Sequence, residues 1–594
     1  EYVKNSFNYQ EHEAVSYAYK VVSVDPEFRL TPAEDSDDGT FVMYSGENAG
    51  ENFIDSLQTV ASQIYNNYIT QPKPMPVLSE KEEEEHLNAT VCHICEKEFK
   101  EDDIREHDHD HILGNYRGAA HQYCNLQYKI TASTWKLPVF FHNLRSYDAH
   151  IIVKALSQRH KRIRVIPNNI EKYLSISVNQ LQFLDSLQFT FQSLDNLSKT
   201  LSTEELIYTR RAFQNDDEFV LLKEKGVFPY DYFDSLQRFT DTELPCKEGF
   251  FNKLNDTEIT DEQYAHAQIV WETFKRSKPD FTFKDYHDIY LKTDVLLLTD
   301  FFEKFRNTCL RDSGLDAAHY YSSPGMSWDC AMKLTGVELE LFLDEAMYTF
   351  IERGIRGGVS MISTRFAKAN NPACKVYDAT KPTTYLLYLD ANNLYGCSMV
   401  SYLPTHGFRF LSENEFSDLN IETLSPEAED GYIYEVDLEY PEELHDLHSD
   451  YPLCVEPLEI TESMMSPFQQ KFPKQPPQIK LTPNLLNKRN YIVHYRNLQL
   501  YLKLGMKLTK IHKILTFKQS PWLKKYIDYN TSQRALATST FEKDYYKLKN
   551  NSFFGKTSEN LRNRVNVEII TDAKVAKRRV ASILKDRKPL GKIW

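Results

Sequence analysis

The stretch YLLYLDANNLYGCSM, residues 385–399, opens as an apolar strand, ends it on Asp390, turns through Asn392 and Asn393, and resumes at Leu394-Tyr395-Gly396. A strand that delivers a carboxylate to its own end can offer it to a cation while its apolar side chains stay in a core. The same spelling describes an ordinary strand-end turn that contains an Asp. What surrounds the stretch decides between the two.

Downstream, KLKNNSFFG (547–555) spaces Lys547, Asn551 and Phe554 to share one face of a helix, with Lys543 a turn earlier. Upstream, Ile355-Arg356-Gly357-Gly358 sets two glycines where backbone can approach another chain closely. Farther upstream, FHNLRSYDAHII (141–152) places His142, Asn143 and Asp148 after an apolar run and before a helix-like stretch. LDSLQF (184–189) contains Ser186 and Leu187, and YLKTD (290–294) puts Tyr290 and Asp294 one helical turn apart.

In this order the segments resemble the signatures of family B DNA polymerases. Residues 390–396 resemble motif A, DxxSLYP, with Asn393 for Ser and Gly396 for Pro; residues 547–555 resemble motif B, KxxxNSxYG, with Phe554 for Tyr. Residues 355–358 resemble the YxGG hinge, with Ile355 for Tyr. The resemblance implies that Asp390 binds two Mg2+ ions and that Tyr395 stacks under the incoming sugar. It implies nucleotide binding by Lys543, Lys547, Asn551 and Phe554, and DNA contact at Gly357 and Gly358. The upstream segments resemble the second and third motifs of the family's 3′–5′ exonuclease. They imply Asp148 and Asp294 as magnesium ligands of a two-metal site, Tyr290 as the residue that orients water, and His142, Asn143, Ser186 and Leu187 as contacts to a single-stranded 3′ end.

Phrases such as VWETF, YHDIYLKTDVLLLTDFFE and NNSFFGKT resemble the protein-primed polymerases of Maverick/Polinton transposons and adintovirus-like elements. That branch implies a terminal protein as primer, and the interval between motifs A and B leaves room for two inserts that grip it and the template. Two departures matter. The first exonuclease motif, Asp-x-Glu on a strand, finds only Asp25-Pro26-Glu27, which follows a strand, contains Pro and reads as a turn. Motif C, YxDTDS, has no counterpart after residue 555, where Asp572 and Asp586 sit in basic surroundings. Two-metal phosphoryl transfer needs both palm carboxylates, so the expectation is a fragment that does not polymerise alone.

CHICEKEFKEDDIREHDHDHILGNYRGAAHQYCN (92–125) pairs Cys92-x2-Cys95 with His121-x2-Cys124, a ligand set and spacing for a tetrahedral structural zinc. The intervening DHDH is denser in ligands than such a site needs. The segment resembles the recombination endonuclease VII family of ββα-metal nucleases, with His121 where a Cys is usual. That implies His109 as general base and Asp108 and Asn125 as ligands of a catalytic Mg2+. Whether the finger cuts DNA or grips it stays open.

The bulk numbers agree with a nucleic-acid enzyme only once charge is resolved along the chain. The total is −15, but residues 485–594 hold 25 Lys plus Arg against 7 Asp plus Glu, a balance of +18, so the first 484 carry −33. A basic block on an acidic body can still bind phosphates. Nine scattered cysteines are not a disulfide framework, the opening EYVKNSFNYQ is no signal peptide, and no run of about 18 apolar residues spans a membrane. The expected setting is intracellular, in the nucleus or at a viral replication site.

These readings converge on an α/β and α+β multidomain chain of 594 residues. Residues 1–86 begin an RNase H-like 3′–5′ exonuclease domain, 87–130 form the zinc insert, 131–345 complete the exonuclease, and 346–594 form an incomplete family B palm and fingers. The expected partners are primer-template and single-stranded DNA, deoxynucleoside triphosphates and a terminal protein; the expected cofactors are Mg2+ and Zn2+. A DNA endonuclease working through the finger and a catalytically dead DNA-binding relic are the alternatives.

Overall fold

The computed structural model describes residues 12–30, 39–127, 134–160, 162–169, 172–416, 419–472, 479–565 and 567–581. Two compact units divide the chain: residues 1–328 with 537–594, and residues 329–536.

The first unit opens with β1 (Ser16–Lys20) and β2 (Phe41–Ser45), antiparallel from Ser16↔Ser45 to Lys20↔Phe41, as their alternating pattern leads one to expect. Helix α1 (Ala49–Ile64) buries Phe53, Ile54, Leu57 and Ala61. The acidic run forms α2 (Glu80–Asn88), started by a reciprocal capping box between Ser79 and Glu82. The Cys/His segment then folds as β3 (Arg105–His109), β4 (Tyr116–His121) and α3 (Gln122–Gln127), a ββα unit.

After it come β5 (Leu137–Phe141), α4 (Asp148–Arg159), β6 (Arg162–Pro167), β7 (Tyr173–Val178) and β8 (Leu181–Asp185). Strands β5 and β8 are parallel with Phe141 beside Asp185, so the turns that leave them emerge side by side. One face of this sheet packs Ile163, Ile176 and Phe183 against Ile152 and Leu156 of α4 and the apolar face of α1. Helix α5 (Asp261–Ser277) starts at a Thr260/Gln263 capping box. Helix α6 (Phe283–Ser313) runs for 31 residues, about 46 Å, and stops at Gly314, whose φ of 68° suits a glycine terminator. Phe283, Tyr286, Leu296 and Leu297 of α6 share a core with Val270 and Trp271 of α5. Helix α7 (Ser323–Thr335) follows.

The second unit holds α8 (Glu345–Gly354), α9 (Leu394–Met399), β9 (Leu403–Phe410), β10 (Asp430–Glu439), β11 (Glu456–Glu459), β12 (Ile479–Thr482), β13 (Lys488–His494), α10 (Tyr495–Lys503), β14 (Lys507–Ser520) and α11 (Lys524–Leu536). Its antiparallel sheet has the order β13-β10-β14-β9. Tyr434, Val436 and Ile514 of the sheet meet Tyr495 and Leu498 of α10 in its core. The strand expected over 384–390 does not form: 385–390 carry no regular structure, and Tyr385 to Leu389 are 63–92% exposed. A strand exists only where neighbours pair its backbone groups, and among the described residues none pairs with these.

The chain returns to the first unit through α12 (Thr540–Thr557), β15 (Val567–Ile570) and α13 (Ala573–Val580). Strand β15 pairs antiparallel with β6, completing the order β15-β6-β7-β8-β5. Among the described residues no helix is long and apolar enough to cross a membrane.

Candidate functional site

The paired turns after β5 and β8 are stapled by Asp185, which is fully buried. Its Oδ1 accepts the amides of Asn143 at 2.8 Å and Leu187 at 3.0 Å, and its Oδ2 accepts the amide of Arg145 at 3.4 Å. Asn143 takes φ 70°, a left-handed conformation that asparagine tolerates better than most residues. Burial lowers the basicity of His142. Its Nε2 lies 3.0 Å from the Gln192 carbonyl and its Nδ1 2.9 Å from the Ser186 hydroxyl, which itself donates to the Phe141 carbonyl at 2.9 Å.

Asp148 begins α4 on the same side. Burial, reinforced by the charge of Asp185, pushes its carboxyl up to about 6. From α6, Tyr290 and Asp294 project together. Lys225 forms an ion pair with Asp294 and donates to the Tyr290 hydroxyl at 3.2 Å. The Tyr290 and Tyr230 hydroxyls lie 2.9 Å apart. Burial raises the Asp294 carboxyl against the opposing pull of Lys225, and its Oδ1 is buried with no hydrogen-bond partner. Burial, with the charges of Asp294 and Asp148 acting together, pushes the Tyr230 phenol up to about 12. His142 feels Asp185, Lys225 and Asp294. Asp185 thus holds the turns of Asn143 and Leu187 and acts electrostatically on His142 and Asp148, while Lys225 and Tyr230 join Tyr290 and Asp294 to the same electrostatic neighbourhood. Asp148 and Asp294 are both carboxylates disfavoured in their charged form by burial, and Asp294 keeps one buried oxygen without a hydrogen bond.

Sequence reading missed Asp185, Lys225 and Tyr230. A buried Asp at the end of an apolar strand was a usable signal for the first; the other two come from a loop with no local pattern. Asp25-Pro26-Glu27 is a turn, as its spelling suggests: Asp25 Oδ1 accepts the Glu27 amide at 3.0 Å and Oδ2 the Tyr68 hydroxyl at 2.9 Å.

In the ββα unit, the ligand atoms of Cys92, Cys95, His121 and Cys124 all lie within 4.8 Å of one another. His121 Nδ1 is 3.4 Å from Cys95 Sγ and 4.0 Å from Cys124 Sγ, near the edge length of a zinc tetrahedron, about 3.5 Å. His121 Nε2 lies 3.2 Å from Asp103, the outer carboxylate that commonly orients a metal-bound imidazole. Asp108, buried, is held by Arg117 at 2.8 and 3.0 Å and by His93 at 2.9 Å. A magnesium role for Asp108 therefore depends on displacing Arg117. His109 ends β3, its ring 4.8 Å from that of His111, and Asn125 lies in α3 beside Cys124.

In the second unit, Asp390 is exposed ahead of α9, and Tyr395, within α9, is 49% exposed. Asn393 caps α9 at φ 50°, and a Cβ on Gly396 would overlap the Asn393 amide. The two departures from DxxSLYP are therefore coupled, since glycine at 396 makes room for asparagine at 393. Gly357 and Gly358 face open space, next to an Arg356 anchored on the Ile492 carbonyl at 2.7 Å and over the Tyr491 ring at 3.9 Å.

In the first unit, α12 exposes Lys543, Lys547 and Asn551 along one face, with Phe554 half-buried, while Phe541, Tyr545, Lys549 and Phe553 are buried on the other. Asp572 caps α13 by accepting the Lys574 and Val575 amides, each at 2.9 Å; Asp586 lies outside the described residues.

No curated protein sequence matches the chain. Among solved structures it is similar to phi29 DNA polymerase complexed with primer-template DNA and incoming nucleotide substrates, at 15% identity and a TM-score of 0.38, covering 76% of this chain and 64% of that one. It is also similar to phi29 DNA polymerase complexed with single-stranded DNA, at 15% identity and a TM-score of 0.36, covering 76% and 63%. The chain thus spans a little under two thirds of the length of these polymerases. A family model described as DNA polymerase type B, organellar and viral, matches residues 135–591, so that the chain belongs to the organellar and viral type B DNA polymerases.

Proposed function

We propose that this chain acts in DNA-directed DNA synthesis by a protein-primed polymerase of the Maverick/Polinton type, with an associated 3′–5′ exonuclease and a zinc-held DNA-gripping finger. The observation that carries the polymerase reading is the two-faced α12, whose exposed row Lys543, Lys547, Asn551 is set opposite a buried stripe. Lysines on a rigid helix can hold a triphosphate without themselves being packed in the core. Phe554 keeps a ring at the position where the family has Tyr, and Tyr395 supplies the sugar-facing ring. Asp390, with Asp148 and Asp294 at the exonuclease pocket, would hold Mg2+. Bound there, Mg2+ neutralises charge that develops on the attacking and leaving oxygens.

At the exonuclease pocket this chain's own residues supply the rest. Burial holds the Tyr290 hydroxyl protonated, so it can orient a water by donating to it. Lys225 balances Asp294, and neutral His142 with Ser186 shapes the wall for a single-stranded 3′ end. In the finger, the engagement of Asp108 by Arg117 and His93 favours gripping over cutting. A terminal protein and a nuclear or viral replication site complete the reading.

The test is titration of dATP, with Mg2+, onto the chain bound to primer-template. Wild type should bind, and Lys547→Ala should weaken binding by roughly tenfold or more, the loss of one charge-assisted hydrogen bond, with unchanged thermal stability. No dATP binding by the wild-type chain would overturn the proposal.

A further inference from the structure

The buried stripe of α12 is spaced four residues apart: Phe541, Tyr545, Lys549, Phe553. Phe541 meets Phe301 of α6 edge-on at 5.9 Å, under the Lys304 ammonium at 4.3 Å. Tyr545 meets Phe305 at 5.9 Å, and Phe553 stacks on Trp328 at 5.3 Å and 6°. Between these apolar contacts sits an ion pair, Lys549 with Asp312, whose side chains are 3% and 2% exposed. Asp312 also accepts from the Tyr545 hydroxyl at 3.0 Å and the Tyr546 hydroxyl at 3.3 Å. Because 541, 545 and 549 meet 301, 305 and 312 in the same order, α12 and the C-terminal half of α6 run in the same direction where their side chains meet.

A buried ion pair is a poor stabiliser, since apolar residues of similar volume would usually do as well. What it supplies is register. Sliding α12 along α6 by one turn, about 5.4 Å, would bury both charges unpaired, whereas apolar contacts alone would tolerate the slip. A second tether lies nearby: Gln192 donates to Asp544 at 3.2 Å, and its own carbonyl accepts from His142.

We propose that Asp312 and Lys549 are positioning residues for nucleotide capture, a buried lock that fixes the exposed row Lys543–Lys547–Asn551 against the helix that carries Tyr290 and Asp294. This rests on the nucleotide-binding reading of α12. Neither residue touches the nucleotide.

The experiment compares the full chain with Asp312→Asn/Lys549→Met, which removes both charges, and with the exchange Asp312→Lys/Lys549→Asp. Dissociation constants for dATP with Mg2+ and for primer-template are read alongside the melting temperature. In the neutral variant the melting temperature and DNA affinity should hold while dATP affinity falls about tenfold to hundredfold, as for one misplaced phosphate contact. The exchange should restore it. Wild-type dATP binding that is abolished by Lys547→Ala but intact in the neutral variant overturns this inference and leaves the proposed function standing. A neutral variant that fails to fold would show the pair to be a stabiliser and overturns it too. Absence of dATP binding by the wild-type chain overturns both.

Discussion

Asp148 is a carboxylate held where a neutral amide would be better accommodated, and its replacement by asparagine tests whether the pocket is built for cations. Burial and the neighbouring Asp185 raise its carboxyl from the ordinary 3.8 to about 6. Each pKa unit corresponds to about 1.4 kcal/mol, so the charged form costs the folded state at most about 3 kcal/mol; partial solvent access at α4's first turn makes this an upper bound. The folded pKa lies above the unfolded one. The contribution to stability is therefore fully present below about pH 3.8 and lost as pH rises through about 6. At pH 7 Asp148→Asn should raise the free energy of unfolding by about 1–3 kcal/mol, and at pH 4 the two proteins should be nearly equal. Mg2+ should narrow the gap at pH 7 by stabilising only the wild type. Denaturant titrations at the two pH values, with and without Mg2+, give all four numbers. A variant less stable than wild type at pH 7, or a gap independent of pH, would refute the argument that desolvated charge waits here for a cation.

Three further outcomes follow from other parts of the molecule. The chain should bind one zinc per molecule; Cys92→Ser should release it, and Asp103→Asn, which removes the carboxylate beside His121, should weaken it about tenfold to hundredfold by metal-competition titration. Asp437 is buried, which alone would raise its pKa, but the Asn490 amide with His512 and Arg489 overrides this and holds it at about 2. Asp437→Asn should destabilise the second unit by about 2 kcal/mol at pH 7, an effect present above about pH 3.8 and lost as pH falls through about 2, read by denaturant midpoint. DNA binding should weaken steeply with salt, and reversing the charges of the exposed Lys577 and Arg578 together should lower the log–log slope by about 2, because two phosphates would no longer be neutralised.

What the sequence disclosed was local. Tyr290 and Asp294 share a face because four residues make a helical turn, and the same arithmetic placed Lys543, Lys547 and Asn551 in a row. The cluster of Cys92, Cys95, His121 and Cys124 was legible because such paired knuckles are short-range. Strand β14 was not: the last hundred residues, rich in Lys, Leu and Tyr, read as mainly helical, yet Lys507–Ser520 pairs with β10 and β9 over its length. Its β-branched residues Thr509, Ile511, Ile514 and Thr516 were the neglected signal. The apolar run 385–389 erred in the other direction, since propensity for strand is not a partner for one.

Several of the contacts that sequence reading missed join residues far apart along the chain. Lys225 reaches Asp294 across 69 residues, and Lys549 reaches Asp312 across 237. Strand β15 joins β6 across about 400. No periodicity registers such pairs, because each side chain alone looks like a solvated surface charge. Two of the three converge on α6, Asp294 in its first half, paired with Lys225, and Asp312 at its end, under α12. A continuous helix between buried charges transmits displacement with little loss, because its backbone hydrogen bonds leave few soft torsions. The spacing of the two carboxylates, 18 residues or about 27 Å of helix, is therefore a rigid distance between the pocket that would receive a 3′ end and the row that would receive a nucleotide.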